Sequence, residues 1–224
     1  KGSTFPLINR IGYTKMYRFG SPPNYSPKPE ESIEAMAKEK GMTAAELAYE
    51  ILIENDGNNF IYAPLVNYAD HTFGVCKKML EDKNAIMGLG DGGAHVGFIL
   101  DAGYPTWLIS YWSVKKKAFS MEETVRRLTS DTASAAGLND RGILKVGLKA
   151  DINIIDWENV GSSDPFMTQD LPAGGKRLMQ HTKGYVTTIV SGKVTYKNGE
   201  FTKERPGTVV KSVKDEEKTL EFIN

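Results

Sequence analysis

The stretch Gly184–Thr202, GYVTTIVSGKVTYKNGEFT, combines a strand pattern with two turn signals. Apolar and polar residues alternate along it, as they do in strands that bury one face. Ser191-Gly192 and Asn198-Gly199 interrupt this alternation, and such dipeptides favour two-residue hairpin turns. The stretch therefore predicts an antiparallel meander of three short strands. The same alternation occurs upstream in Asp151–Asp156, DINIID.

The part of the chain before these segments alternates between strand-like and helix-like patterns. Short apolar runs are separated by helical patterns of about ten residues or more, which is typical of parallel βα units. In such units, functional groups gather at the carboxyl ends of the strands. The predicted strands are Arg10–Phe19, Asn59–Val66 (buried on both faces) and Ala85–Gly90, and the predicted helices are Glu30–Gly41, Ala44–Asn55, Thr72–Asp82 and Glu123–Leu138.

Local signals mark the ends of these helices. Thr43–Glu46 and Ser120–Glu123 match the capping-box pattern, in which two side chains satisfy backbone N–H groups at a helix start. Gly41 and Gly137 stand where a helix ends most easily, because glycine adopts positive φ without strain. These residues predict the boundaries of the helices next to them.

The pattern changes after Gly137, which predicts a domain boundary near residue 140. Residues 1–139 are the predicted βα part, and residues 140–224 are the predicted all-β part with a charged tail. About 140 residues is little more than half of the roughly 250 in a complete eight-stranded barrel. The βα part is therefore either a small open sheet or the last portion of a barrel. Because the chain begins at Lys1 without Met, we expect a piece of a longer protein.

Composition excludes several classes of partner. The 224 residues include 28 Lys and Arg and 28 Asp and Glu, so the net charge is zero and no nucleic-acid binding is expected. No apolar run approaches the roughly 18 residues of a membrane-spanning helix, so no membrane partner is expected. Cys76 is the single cysteine, which excludes an internal disulfide and favours a cytoplasmic protein. Its place on a predicted helix indicates a small buried apolar residue.

The stretch Gly88–Gly97, GLGDGGAHVG, places five glycines around Asp91. Glycine has much conformational entropy to lose on folding, so such a cluster indicates a backbone path or a close approach that side chains forbid. Asp91 directly follows the predicted strand Ala85–Gly90 and so stands at its carboxyl end. We interpret Asp91 as a candidate functional carboxylate. The alternative is a turn aspartate that accepts a backbone hydrogen bond among the glycines.

Three further residues are candidates for substrate binding because they lie in loops at strand ends. His95 follows Asp91 by four residues, and His71 and Asn67 follow the predicted strand Asn59–Val66. Each histidine has a structural alternative, in which the backbone satisfies its ring nitrogens. Arg177 is able to bind a carboxylate through its planar guanidinium, although a lone arginine is more often a surface residue.

Several segments resemble the carboxyl-terminal half of amidohydrolase-superfamily enzymes. They include Gly88–Gly97, Thr129–Asp156 and the meander stretch. Within Thr129–Asp156, Arg141-Gly142 followed by Gly147, Ala150 and Asp151 matches the superfamily's connection between barrel and β-sandwich. The branch that they resemble is that of the N-acyl-D-amino-acid deacylases, or D-aminoacylases, and Asp170–Gln180, DLPAGGKRLMQ, is similar to the same branch.

This resemblance implies a fold and a metal. Residues 1–139 would be the last βα units of a TIM-like (β/α)8 barrel, and residues 140–224 a small antiparallel β-sandwich module. Asp91 matches the family's carboxylate at the end of the eighth strand, which implies that it ligates a metal and takes a proton from the metal-bound water. One or two divalent ions, with zinc as the expected metal, would serve the complete enzyme.

The chain also departs from the family pattern. It has no His-x-His pair, and its three histidines, His71, His95 and His181, are widely spaced. A catalytic zinc needs about three protein ligands, and Asp91 is the one good candidate here. We therefore expect the chain to be inactive alone and to hold metal poorly. The expected macromolecular partner is the missing N-terminal half of the barrel or a second copy.

The resemblance implies hydrolysis of a linear amide in an N-acyl amino acid, in the D configuration. Two alternatives stay open at this point. One is a cyclic amidase similar to hydantoinases or dihydroorotases. The other is a non-catalytic half-barrel that serves assembly.

Overall fold

The computed structural model describes residues 11–64, 66–88, 90, 92–93 and 95–210. The chain divides into two compact units, Lys1–Ala85 and Ile86–Asn224. The predicted boundary between residues 139 and 140 falls inside the second unit. The division into a partial barrel and a β-sandwich module stays a prediction.

The first unit combines short helices with a two-stranded ribbon. A 3₁₀ turn, Tyr13–Lys15, precedes the first strand, and a second 3₁₀ turn, Pro29–Glu31, precedes the first helix. The other elements are β1 (Tyr17–Phe19), α1 (Ile33–Lys40), α2 (Ala44–Gly57), β2 (Phe60–Tyr62) and α3 (Gly74–Glu81).

Local capping sets the helix ends of this unit, as predicted. Gly41 ends α1 with φ of 67°. Thr43 Oγ1 accepts the backbone N–H of Glu46, and the Glu46 carboxylate accepts the backbone N–H of Thr43 at 2.8 Å. The last turn of α2 leaves helical geometry at Glu54, so the regular helix is shorter than its bounds.

The core of the first unit lies between α1, α2 and the start of β1. Ile33 and Ala37 are one helical turn apart on α1, and Leu47 and Ile51 are one turn apart on α2, so each helix presents an apolar stripe to the other. The buried residues are Met16, Ile33, Ala37, Leu47, Ala48 and Ile51.

The strands β1 and β2 pair antiparallel, with Tyr17 opposite Tyr62 and Phe19 opposite Phe60. The prediction of parallel pairing is therefore wrong for these strands. The reason lies in the connection, because a parallel unit needs a crossover that returns the chain to the start of the first strand. Here two helices intervene, and Glu54 at the end of α2 pairs with Arg18 of β1, so the chain re-enters the ribbon beside the end of β1.

The predicted strands of the first 90 residues are longer than the observed ones. Arg10–Phe19 and Asn59–Val66 are reduced to three residues each, and β2 is half-buried instead of buried on both faces. The described residues of Ala85–Gly90 form no strand, which corrects that prediction. An apolar run becomes a strand only where a neighbour pairs with its backbone, and no described residue does so here.

The helical part of the second unit begins with α4 (Tyr104–Trp107), which continues into the π-helical segment Leu108–Lys115. Next come α5 (Met121–Leu128) and α6 (Ser130–Ala135). The single predicted helix is divided because Thr129 has φ of −126° and ψ of −87°. Two predicted ends are confirmed: Ser120 Oγ accepts the N–H of Glu123 at 3.1 Å, and Gly137 has φ of 72°.

The predicted meander is present as part of a four-stranded sheet. Its strands are β3 (Ile152–Ile155), β8 (Tyr185–Val190), β9 (Lys193–Lys197) and β10 (Glu200–Phe201), in the order β10-β9-β8-β3 and with antiparallel pairing throughout. Ser191-Gly192 and Asn198-Gly199 have positive φ at both positions, as type I′ hairpin turns require. The alternating pattern and the turn residues thus predicted this element correctly.

Two smaller ribbons complete the second unit. β4 (Gly161–Ser162) pairs with β7 (Thr182–Lys183), and β5 (Phe166–Leu171) pairs with β6 (Gly175–Met179). All strand pairs among the described residues are antiparallel. The chain is therefore a mixed α/β protein, as expected, whereas the barrel portion and the β-sandwich remain predictions.

Candidate active site

The candidate residues fall in two loops, one in each unit. Asn67 and His71 lie in the first unit, between β2 and α3, and the glycine-rich stretch with His95 lies in the second unit. Asp91, the predicted metal ligand and proton acceptor, lies outside the described residues. Its roles therefore stay predictions.

At two positions of the glycine-rich stretch, the structure shows why glycine is needed, and the reasons differ. A Cβ on Gly90 would lie 2.9 Å from both Ala102 Cα and Tyr104 Cδ1, closer than real Cβ contacts. Gly93 has φ of 98°, which side chains rarely tolerate. Gly88 and Gly97 meet neither condition. At Gly90 the glycine thus permits the chain to pack closely on itself.

His95 lies on the surface of this stretch. Its backbone has φ of 47°, and its carbonyl oxygen accepts the N–H groups of Phe98 and Ile99, both at 3.0 Å. The imidazole packs on the Phe98 ring at 5.2 Å between centroids. The imidazole is exposed, and no described residue makes a hydrogen bond to its ring nitrogens.

A hydrogen bond fastens this stretch to the β5–β6 ribbon. The Leu178 N–H donates to the carbonyl oxygen of Val96 at 2.8 Å. Nothing in the local sequence indicates this contact, because the two residues are far apart along the chain. In the same ribbon, Arg177 donates to both carboxylate oxygens of Asp170, at 2.8 and 2.6 Å. The suggestion that Arg177 binds a substrate carboxylate is therefore not supported, because Asp170 already occupies its guanidinium.

Asn67 begins the candidate loop of the first unit. It is exposed, with φ of 64°, and its carbonyl oxygen lies 3.2 Å from the Cys76 sulfur. Cys76 lies on α3 as predicted, but it is half-buried instead of buried because it stands at the helix end that faces this loop. Partial burial raises the pKa of its thiol, which disfavours a nucleophilic thiolate.

Asp70 stabilises the turn that follows. Its carboxylate accepts the backbone N–H of Thr72 at 3.1 Å and the Thr72 hydroxyl at 2.9 Å. These hydrogen bonds favour the charged form and lower the pKa of Asp70. The Asp70 carboxylate therefore serves to stabilise the loop.

His71 is the candidate with the most extensive set of contacts. Its Nδ1 lies 2.8 Å from the hydroxyl of Tyr17, a buried residue of β1. Its ring stands edge-on to the rings of Tyr17 and Tyr68, at 6.4 and 6.1 Å. Sequence patterns missed Tyr17, because a strand tyrosine gives no signal of a partner 54 residues away.

The described residues do not by themselves fit a catalytic zinc. They contain no group of three or more His, Cys, Asp or Glu side chains arranged to hold a metal ion. His181 precedes the predicted hairpins, where a structural or surface role is expected, and it lies on the surface with its ring 4.9 Å from that of Phe166. No helix in the described part of the chain has the length and apolar character that a membrane crossing requires.

The residues of the predicted connection form a charged cluster. Arg141 donates to Asp140 at 2.8 Å and to Asp151 at 3.1 Å. The other oxygen of Asp151 accepts the backbone N–H of Ser191, in the turn between β8 and β9, at 2.8 Å. This Arg141–Asp151–Ser191 cluster links the loop before β3 to the first hairpin.

A model of the amidohydrolase family matches residues 24–196, more than half of the chain. The chain belongs to the amidohydrolase family. The resemblance identified from the glycine-rich stretch and the connection is thereby confirmed. The match includes both loops that carry the candidate residues.

Individual relatives of this amidohydrolase chain are more distant. The dihydroorotase of Lactobacillus acidophilus is 34% identical over 89 residues, which cover 38% of the chain and 20% of that protein. Solved structures of D-aminoacylase are 17% and 18% identical, with a TM-score of 0.44, and the match covers 84% of the chain and 36% of theirs. One of them concerns a binuclear metal centre in D-aminoacylase. The chain thus spans about a fifth of the curated relative and about a third of these structures.

Proposed function

We propose that the chain is part of a hydrolase that cleaves the linear amide bond of N-acyl-D-amino acids. Membership of the amidohydrolase family over residues 24–196 carries the proposal. The similarity of Gly88–Gly97 and Asp170–Gln180 to the deacylase branch supports the choice of substrate. Water would add to the amide carbonyl carbon, the C–N bond would break, and a carboxylate and a free amine would form.

Asp91 is the proposed catalytic residue and the proposed metal ligand. A carboxylate beside the reacting amide takes a proton from the attacking water and returns it to the leaving nitrogen. The complete enzyme would use one or two divalent ions, with zinc as the proposed metal. Since the described residues do not form a metal site, the other ligands would come from outside them.

His95, His71 and Asn67 are the proposed substrate-binding residues. The imidazole of His95 and the side chain of Asn67 are exposed in their loops, and both groups donate hydrogen bonds. An N-acyl amino acid offers oxygen acceptors at its acyl carbonyl and its carboxylate. Donors of this kind therefore suit either end of the proposed substrate.

The proposed location is the cytoplasm, supported by the single cysteine. The proposed macromolecular partner is the remainder of the barrel or a second copy. Apolar side chains on the outer face of α2 support this proposal, because Leu52 and Ile53 are 44% and 53% exposed.

The proposal is tested by hydrolysis assays with zinc-loaded protein that carries this chain and any subunit that completes it. N-acetyl-D-leucine is expected to be hydrolysed faster than N-acetyl-L-leucine, hydantoin or dihydroorotate. Asp91→Asn keeps the size of the side chain and removes the proton acceptor, so kcat is expected to fall by about 10²–10⁴-fold. His181→Gln, on the surface of the second unit, is the control and is expected to keep full activity.

A cyclic amidase is the second candidate, favoured by the 34% identity to a dihydroorotase over 89 residues. Preferential turnover of dihydroorotate or hydantoin in the same assays would replace the linear amide with a ring amide. Full activity of Asp91→Asn would remove Asp91 from the reaction.

A further inference from the structure

The Tyr17–His71 hydrogen bond joins two distant parts of the first unit. Tyr17 lies in β1 and is 1% exposed, and its hydroxyl lies 2.8 Å from Nδ1 of His71. His71 is partly exposed in the loop between β2 and α3. A buried phenol thus reaches one nitrogen of an imidazole whose ring borders solvent.

The orientation of the His71 ring is fixed from several directions. Its backbone has φ of 57°, a conformation that non-glycine residues seldom adopt, and its N–H donates to the carbonyl oxygen of Tyr68 at 3.3 Å. The ring is perpendicular to that of Tyr17, at 83°, and steeply inclined to that of Tyr68, at 73°. Tyr68 is itself buried, and its hydroxyl donates to the carbonyl oxygen of Pro27 at 2.9 Å. The ring therefore has little freedom to turn.

The chemistry of Tyr17 favours donation from its hydroxyl to His71 Nδ1. Burial and the negative charge of Glu31 raise the pKa of the phenol, so it stays protonated at neutral pH. A buried O–H donor needs an acceptor, and Nδ1 of His71 is the acceptor that the described residues provide. When Tyr17 donates to Nδ1, the proton of the neutral ring resides on Nε2.

No described residue makes a hydrogen bond to Nε2 of His71. We propose that Tyr17 is a positioning residue that holds His71 as an Nε2–H donor for an oxygen atom of the substrate, either the carboxylate or the acyl carbonyl of an N-acyl amino acid. The role toward substrate rests on the proposed function. The tautomer itself does not, because it follows from contacts within the first unit.

The opposite tautomer makes a different prediction. If Nδ1–H donated to the phenol oxygen, Nε2 would carry a lone pair and would suit a metal ion instead of a substrate oxygen. The two cases differ in a property that can be measured without catalysis.

The first experiment records long-range ¹H–¹⁵N NMR spectra of the ¹⁵N-labelled chain at neutral pH, with His71→Asn to assign the resonances. A protonated Nε2 and an unprotonated Nδ1 are expected for His71. A protonated Nδ1 with a bare Nε2 would overturn the proposal. Because this measurement uses the unmodified chain, it does not depend on how any substitution at Tyr17 affects folding.

The second experiment compares Tyr17→Phe with Tyr68→Phe. Tyr17→Phe keeps the buried ring and removes the donor, so His71 is expected to show a mixture of tautomers. In the zinc-loaded protein that carries this chain and any subunit that completes it, KM for N-acetyl-D-leucine is expected to rise by about tenfold with kcat little changed, since a substrate hydrogen bond is weakened. Tyr68→Phe removes another buried hydroxyl beside the same ring without touching Nδ1, and it is expected to leave the tautomer unchanged. Equal effects of the two variants would mean that packing fixes the ring and would overturn the role of Tyr17.

The outcomes separate this proposal from the proposed function. An Nε2–H tautomer without hydrolysis of any amide by the zinc-loaded, completed protein would overturn the proposed function and support the tautomer assignment. Hydrolysis of N-acetyl-D-leucine with an Nδ1–H tautomer would do the reverse.

Discussion

At the scale of single residues, the glycines of Gly88–Gly97 are not equivalent. Gly90 stands against the backbone of Ala102 and the ring of Tyr104, whereas a Cβ on Gly97 would meet open space. Sequence alone shows five glycines and a reason to suspect close contact. It does not show which glycine makes the contact, because the contacting atoms belong to the next segment of the chain.

We expect Gly90→Ala to lower the free energy of unfolding by about 1–3 kcal/mol, because its Cβ would collide with backbone atoms that cannot move cheaply. Gly97→Ala is the matched control. It is expected to change stability by less than about 1 kcal/mol, toward stabilisation, because it restricts the unfolded chain without a clash. Urea unfolding followed by tryptophan fluorescence measures both variants. Equal stabilities for the two would contradict the close packing at Gly90.

The candidate site shows the same division between local and distant information. His71, His95 and Asn67 were found because they follow apolar runs, and the structure places all three in loops. Tyr17 was not found, since its relation to His71 depends on how β1 packs and not on spacing along the chain.

At the scale of elements, features written in a few adjacent residues were predicted correctly. Thr43 and Glu46 form the full predicted capping box, Ser120 forms the N-cap half of its own, and Ser191-Gly192 forms the predicted turn. Strand pairing was predicted less well, because it depends on a partner elsewhere. β1 and β2 pair antiparallel, and the described residues of Ala85–Gly90 find no partner.

Substitutions at Thr43 test whether the local sequence sets the start of α2. Thr43→Ala removes the side-chain oxygen that accepts the Glu46 N–H, so the free energy of unfolding is expected to fall by about 1 kcal/mol. Thr43→Ser keeps the hydroxyl. Its free energy of unfolding is expected to stay within about a few tenths of a kcal/mol of the parent value, because serine and threonine are both good N-cap residues. Circular dichroism at 222 nm during urea unfolding compares them. A serine variant as unstable as the alanine variant would show that the threonine methyl, and not the cap, matters.

At the scale of the whole molecule, one exposed surface is notably apolar. On α2, Tyr49, Leu52 and Ile53 are 65%, 44% and 53% exposed, although the opposite face of the helix is buried. Large contiguous apolar patches mark contact surfaces on soluble proteins.

We therefore expect the isolated chain to self-associate through this face. Sedimentation velocity over a range of concentrations is expected to show oligomers, and Leu52→Gln with Ile53→Gln is expected to raise the monomer fraction. Lys40→Gln, on an exposed position of α1, is the control and is expected to leave the distribution unchanged. A parent chain that sediments as a single monomer at all concentrations would refute self-association.

The Arg141–Asp151–Ser191 cluster bears on how such chains are recognised. Arg141 and Asp151 helped to identify the family from sequence. In the structure they connect a loop to a hairpin, through an ion pair and a hydrogen bond to the Ser191 N–H. A paralogue that had lost its catalytic residues would still need this connection to stabilise the fold. The motif therefore indicates common ancestry and architecture. A genome search with this motif would collect inactive homologues together with active enzymes.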